Sequence, residues 1–250
     1  ANVLIADTRH IKTYLDQKYR KKTVYCRLVE PFPIKSNVNK VHNMKEITVL
    51  FHGSITHYNI NFKELEFLLE GLSRLYKVKF VCISNLSEIK SRIKLKNVNV
   101  NYYNYEFDLL VKWLNKATIG YVPSFFPVHD LKITNIIKNI FFKGHQNNME
   151  IIFEKFSANA GRCYPFAHFG VPFLAHPTRE VIADFSEIND LEFPFNKTQM
   201  LDQALNLIEN QSLYKNISVD LIKLSRKKYS FQNIAQKLMA EIENFILISS

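Results

Sequence analysis

Four short runs rich in β-branched and aromatic residues constrain this chain more than any other feature: EITVLFHG (46–53), KVKFVCIS (77–84), VNVNYYNY (98–105) and TIGYVPSF (118–125). Amphipathic segments separate them. The chain turns through SITHYNI into NFKELEFLLEGLSRLY, whose Leu65, Leu68, Leu69 and Leu72 share one helical stripe, and LSEIKSRIK and FDLLVKWLNKA read as further helices. Parallel strands need crossover connections of this kind, and strands covered on both faces are nearly continuously apolar. The alternation predicts an α/β fold with a Rossmann-like parallel sheet and helices on both faces.

The same rhythm continues after a break. A strand PFLAHP (172–177), a helix TREVIADFSEI, a short strand near LEFPF and helices to the end are expected. The last helix spaces Phe231, Ile234, Leu238, Ile242 and Phe245 at three and four, an apolar face for docking. The break from Pro127 to Lys155 is too long and too apolar for a free connection, so one or two packed helices are expected there. Ahead of the sheet, NVLIAD, TRHIKTYLDQKYR and TVYCRL read as strand, helix and strand, followed by Pro31, Pro33 and a polar tail. The expected organisation is the end of one α/β domain over 1–30, a linker over 31–45, a Rossmann-like domain over 46–215 and bracing helices over 216–250.

Over 250 residues, 47% hydrophobic content suffices for a real core and excludes a disordered chain. No apolar run approaches the roughly 20 residues that span a bilayer, and the aspartate in ANVLIADTRH interrupts any signal-like stretch. A cytoplasmic location is expected, with peripheral contact at the inner face of the membrane as an extension. Cys26, Cys82 and Cys163 are odd in number, far apart and set in apolar runs, which suits buried thiols in a reducing compartment. The net charge of +10 admits nucleic acid, anionic membrane or phosphorylated partners. The aromatics sit at core-like spacing without basic interleaving, which disfavours nucleic acid.

The stretch EKFSANAGRCYPFAHFGVPFLAHP (154–177) carries two of the chain's six glycines. Ser157 and Asn159 are good N-caps, so a short helix is expected to start near Asn159. Its free N–H groups would face the carboxyl edge of the sheet, where open α/β sheets bind ligands. Gly161 leaves room for a phosphate, Arg162 supplies a fork of donors and Lys155 a further charge. Gly170 supplies the left-handed residue that ends the helix, with Pro172 following. The plainer alternative makes Ser157 a cap and Arg162 a solvated charge.

The order ATIGYVPSFF, then FSANAGRCYPFAHFGVPFLAHPTREVIADF, then LEFPFNKTQMLDQAL resembles the C-terminal, donor-binding half of GT-B glycosyltransferases. LFHGSITHYNINFKELEFLLEGL is similar to the first strand, glycine loop and helix of that half, and YSFQNIAQKLMAEI to the tail helix that crosses back. The resemblance implies a glycosyltransferase that moves a sugar from a nucleotide-activated donor to a glycan or lipid-linked acceptor in surface polysaccharide synthesis, with neither metal nor cofactor. By position it implies that Gly53 and Ser54 face the donor phosphates, that Ser157, Asn159 and Arg162 form the diphosphate cradle, and that Glu180 holds ribose or sugar hydroxyls. The Glu-x-x-Gly-x-x-x-x-Glu pattern common in the family is absent, and Arg162 stands where some members carry lysine. The family has two domains of about equal size and one fits here, so a fragment, a truncated chain or one half of a split enzyme is expected.

Other constellations carry less. His52 and His57 flank the Gly53 loop, and His57 is taken as a candidate donor to phosphate or to the leaving oxyanion, with a turn histidine as the alternative. His168 belongs to a helix that must pack, and His176 reads as a strand cap. Asp7, Arg9 and His10 lie after the first strand, where a helix cap by Asp7 or Thr8 competes with a ligand contact. No Cys/His spacing suits a metal, and neither a Gly-x-Gly-x-x-Gly nor a Walker loop occurs. A non-catalytic α/β binding or scaffold domain, or less readily a basic nucleic-acid-binding domain, is the alternative function.

Overall fold

A computed structural model describes residues 4–19, 23–27, 29–34, 46–124 and 160–249. Five strands form the main sheet: β3 (Glu46–His52), β4 (Lys77–Ser84), β5 (Val98–Asn104), β6 (Ile119–Val122) and β7 (Phe173–Ala175). Their spatial order is β5-β4-β3-β6-β7, and every pairing is parallel. Ile47, Val49, Leu50, Phe51, Phe80, Val81 and Ile119 are buried, as strands covered on both faces should be. The order reverses between β3 and β6, a switch point at whose carboxyl ends open α/β sheets bind ligands.

The helices follow from the same periodicities. SITHYNI is a helix, α2 (Ile55–Ile60), where a turn was expected, because Ser54 caps it by accepting from the Thr56 N–H at 3.3 Å. Next, α3 (Phe62–Ser73) buries Leu65, Leu68, Leu69 and Leu72, the whole predicted stripe. The helix expected around LSEIKSRIK is only a 3₁₀ turn, Leu86–Glu88, followed by chain without regular structure. Then come α4 (Phe107–Leu114), α5 (Cys163–His168), α6 (Arg179–Phe185), α7 (Lys197–Glu209) and α8 (Gln211–Leu224). Residues 191–194, expected as a short strand, have no regular structure. A π-helical turn, Ser225–Tyr229, leads into α9 (Phe231–Ser249).

One packing expectation is refined. On α9, Ile234 is buried and Leu238 and Ile242 are half-buried, but Phe231 is exposed, so the docking stripe starts one turn late. The segment LIKLSRKKY turns Leu221, Ile222, Leu224 and Tyr229 inward and leaves Lys223 and Lys227 exposed, while Lys228 is half-buried beside Glu187. No helix of the described residues is long and apolar enough to cross a membrane. Segment 127–155 with Lys155, and likewise Ser157 and Asn159, lie outside the described residues.

A separate parallel pair, β1 (Leu4–Ala6) and β2 (Thr23–Tyr25), flanks α1 (Arg9–Tyr19). Thr8 caps α1 by accepting from the Ile11 N–H at 3.0 Å. This unit is fastened to the main domain by charge. Arg9 donates to Glu180 at 2.7 Å and to Asp184 at 2.6 Å, and Arg27 donates to Asp184 at 2.8 Å. The Tyr164 hydroxyl adds a bond of 2.6 Å to the same carboxylate, and the Tyr25 ring lies beside both guanidinium groups. Burial alone would raise the Asp184 carboxyl, but hydrogen bonds from Arg27, Tyr164 and Arg9 outweigh it and hold the group below the usual carboxylate range.

Candidate functional site at the sheet switch point

Gly53 ends β3 with φ of +120°, a conformation that side chains rarely adopt. Its carbonyl accepts from the Ser84 hydroxyl at 2.6 Å, which fixes the turn to β4. A methyl group on Gly53 would meet the Arg162 Cδ at 2.6 Å, so the glycine also clears the path of that side chain. Ser54 is exposed at the cap of α2, and His57 lies half-buried on the same helix.

Arg162 crosses the crevice from the other side. It stands at the N-cap of α5, three residues later than the start expected near Asn159, and α5 has only six residues. A helix of under two turns offers little dipole, so the anion chemistry rests on the guanidinium itself. Its Nη1 donates to the Pro123 carbonyl at 2.7 Å and its Nη2 to the Ser124 hydroxyl at 3.1 Å. Both partners are uncharged, and among the described residues no carboxylate pairs with it. Desolvation pushes its pKa down to about 10, with Cys163 and Tyr121 opposing, which leaves a cation at neutral pH.

His52 backs this group. The Arg162 carbonyl can only accept, so the His52 Nε2 at 3.1 Å carries the proton. Burial, then the nearby Arg162 charge, push His52 down to about 4 against the opposing hydrogen bond, so the ring is neutral at physiological pH. Cys163, directly after Arg162, is buried and pushed up to about 12 by desolvation, an inert thiol as the sequence implied.

A second polar chain meets the same edge. The Tyr121 hydroxyl donates to Glu64 Oε1 at 2.9 Å, His176 Nε2 lies 3.1 Å from Glu64 Oε2, and His176 Nδ1 bonds the Ser124 carbonyl. His176 directly follows β7, Glu64 lies in the first turn of α3 and Tyr121 on β6. Strand-end position was the available signal for His176 and Ser124; nothing in the apolar pattern of α3 singles out Glu64.

Of the residues expected at the site, Gly53, Ser54, His57 and Arg162 gather around the switch point. Glu180 does not join them as an open group. It is 3% exposed, and both of its oxygens are engaged by Arg9, through the backbone N–H at 2.9 Å and the side chain at 2.7 Å. The expected hydroxyl-binding carboxylate is thus a docking residue, because the cation of α1 reaches it first. Arg9 correspondingly faces α6. His168 is buried and pushed down to about 4 by desolvation, a packed helix residue as expected.

No family model matches the sequence, and no curated protein matches it. Solved structures do. S. aureus TarM, as a mutant in complex with Fondaparinux, α-GlcNAc-glycerol and UDP, matches 96% of this chain at 15% identity with a TM-score of 0.61. Anabaena HepE, in complex with UDP and glucose, matches 97% at 10% identity and a TM-score of 0.65. The pneumococcal O-GlcNAc transferase GtfA, in complex with UDP and GlcNAc, matches 98% at 8% identity and a TM-score of 0.65. The matches span 43%, 63% and 46% of those three chains, so this chain spans about half of such proteins. With its parallel order and its switch-point crevice, the chain has the GT-B glycosyltransferase fold.

Proposed function

We propose that this chain binds the nucleotide-sugar donor of a glycosyltransferase and serves transfer of the sugar to a glycan or lipid-linked acceptor in surface polysaccharide synthesis. One observation carries the reading: Arg162 is a half-buried cation whose partners among the described residues are all neutral, laid over a glycine at the switch point. Such a group favours a polyanion, and a diphosphate suits its fork of donors. As the sugar leaves, negative charge grows on the diphosphate, and a fixed guanidinium in a poorly solvated crevice stabilises it without reorganising. Gly53 and Ser54 line the phosphate approach and His57 lies beside it; Ser157 and Asn159, outside the described residues, are assigned to the cradle by the family resemblance alone. In this reading residues 46–215 are the donor domain, 216–250 brace it, 31–45 connect, and 1–30 belong to the acceptor-side domain.

Support comes from the location of the crevice and from neighbours of the same fold solved with UDP. Calorimetric titration with uridine, guanosine, cytidine and thymidine diphosphates tests it. Saturable binding of at least one is expected. Absence of binding to all four would leave a scaffold domain, and binding that tracks only phosphate count and salt would point to a general polyanion surface.

A further inference from the structure

Ser124 lies just beyond the end of β6 at the switch point and is 2% exposed. A guanidinium has only donors, so the contact of 3.1 Å between Arg162 Nη2 and the Ser124 hydroxyl makes the hydroxyl oxygen the acceptor. The serine proton therefore points away from the arginine. Among the described residues no acceptor takes it. The backbone around it is held: the Ser124 carbonyl is bonded to His176 Nδ1, and the neighbouring Pro123 carbonyl accepts from Arg162 Nη1 at 2.7 Å. A donor without an acceptor at such a depth is costly, and the polar groups that native folds bury are otherwise paired.

Arg162 is left in the same condition. Its Nη1 and Nη2 each spend one N–H on an uncharged neighbour, so the second N–H of each nitrogen and the Nε–H have no acceptor among the described residues. Fork and hydroxyl thus present donors side by side, with the 3.1 Å contact fixing their spacing. We propose that Ser124 is a second ligand-contacting residue of the donor site, its hydroxyl donating to a phosphate oxygen of the nucleoside diphosphate while its own oxygen holds the Arg162 fork. The assignment rests on the donor-site reading above. A neutral donor contributes differently from the arginine, because it favours an oxygen at one position and in one direction, whereas the guanidinium charge also draws any anion that approaches. Together they select a phosphoryl oxygen rather than negative charge at large.

Ser124→Ala removes one oxygen and adds no atom that must be fitted, and a thermal melt beside each titration confines the comparison to folded protein. Calorimetry on the parent first finds which of the uridine, guanosine, cytidine and thymidine diphosphates binds tightest. Its affinity is then measured for the parent, Ser124→Ala, Arg162→Ala and the double variant. Ser124→Ala is expected to weaken binding roughly tenfold or more, the size of a hydrogen bond to a charged group. A displaced arginine would also weaken binding, and the double variant separates the two. With Arg162 already truncated, a hydroxyl that touches phosphate still has a contact to lose, so adding Ser124→Ala should cost a further factor of about three or more, beyond the scatter within which independent effects add. A serine that only props the arginine gives no further loss, and that result overturns the assignment, as does a Ser124→Ala variant that binds like the parent. If Arg162→Ala weakens binding while Ser124→Ala does not, the donor-site reading stands and the assignment alone falls. If the parent binds none of the four diphosphates, both fall together.

Discussion

Two regions of this molecule draw arginine side chains inward, and they do opposite things with them. Around Asp184, Arg9 and Arg27 converge on one carboxylate that also holds Tyr164, with Glu180 taking the rest of Arg9. At the switch point, Arg162 rests on a carbonyl and a hydroxyl. The first group is neutralised within the fold and joins two parts of it. The second has no carboxylate partner among the described residues, which is what we propose fits it for an anion. On this proposal a guanidinium is read from its partners: carboxylates for a structural joint, neutral acceptors for an anion site.

The largest effect that would test this contrast is Asp184→Ala. It strands Arg27 and the Tyr164 hydroxyl and leaves Arg9 with Glu180 alone, and a loss of about 3–5 kcal/mol is expected from thermal or urea unfolding. Nucleotide affinity of the folded fraction should not change. The pH dependence has a definite sign: the Asp184 pKa is depressed, so its stabilisation is present above the ordinary carboxylate range, about pH 4, and is lost as pH falls through its lower folded value. Asp184→Asn should flatten that acid limb; an unchanged limb would break the assignment.

Arg162→Ala comes next and should act the other way round. Nucleoside diphosphate binding should weaken by about 1.5–3 kcal/mol, the range for a hydrogen bond to a charged group, with a much smaller change in melting temperature than Asp184→Ala gives. Arg162→Lys should recover only part, because a point charge lacks the fork. Parent-like affinity in Arg162→Ala would make this arginine a structural residue too and remove the contrast.

Gly170→Ala is a control that touches neither arginine cluster. Gly170 closes α5 at φ of +59°, and an added methyl would also meet Ile222 Cδ1 at 2.8 Å. About 1–2 kcal/mol of stability should be lost, with donor affinity kept. Smallest is Arg74→Ala, which removes an exposed pair with Glu70 and should move stability by less than about 0.5 kcal/mol. A larger loss there would mean that surface charge, rather than burial, dominates this basic chain.

The sheet was legible because its signal is local: β-branched runs, the leucines of α3 and the glycine after α5 each declare themselves within a few residues. Arg162 was legible as a residue type, but its support was not, since the expected helix start at Asn159 gave way to a cap at Arg162 itself. Glu180 misled because what decides its role lies 171 residues away in Arg9. His176 and Glu64 are 112 residues apart, and no periodicity links a strand end to a helix first turn at that distance. LSEIKSRIK had helical spacing, yet after one 3₁₀ turn the Tyr102 hydroxyl takes the Ile93 N–H at 2.7 Å and holds the segment against β5.

The β1–β2 pair has a consequence for the order in which the molecule comes apart. Two short parallel strands and one helix have too little apolar contact to stand alone, and much of what holds them here is ionic. Titrating Asp184, which takes acid below the ordinary carboxylate range, should therefore release β1, α1 and β2 as a subglobal unit while the five-stranded sheet stays intact. Amide hydrogen exchange would then fall into two classes, with α1 and β2 opening at a pH where β3 and β4 remain closed. In refolding the sequence reverses: the apolar sheet assembles first, and the amino-terminal unit docks only after α6 has presented its carboxylates.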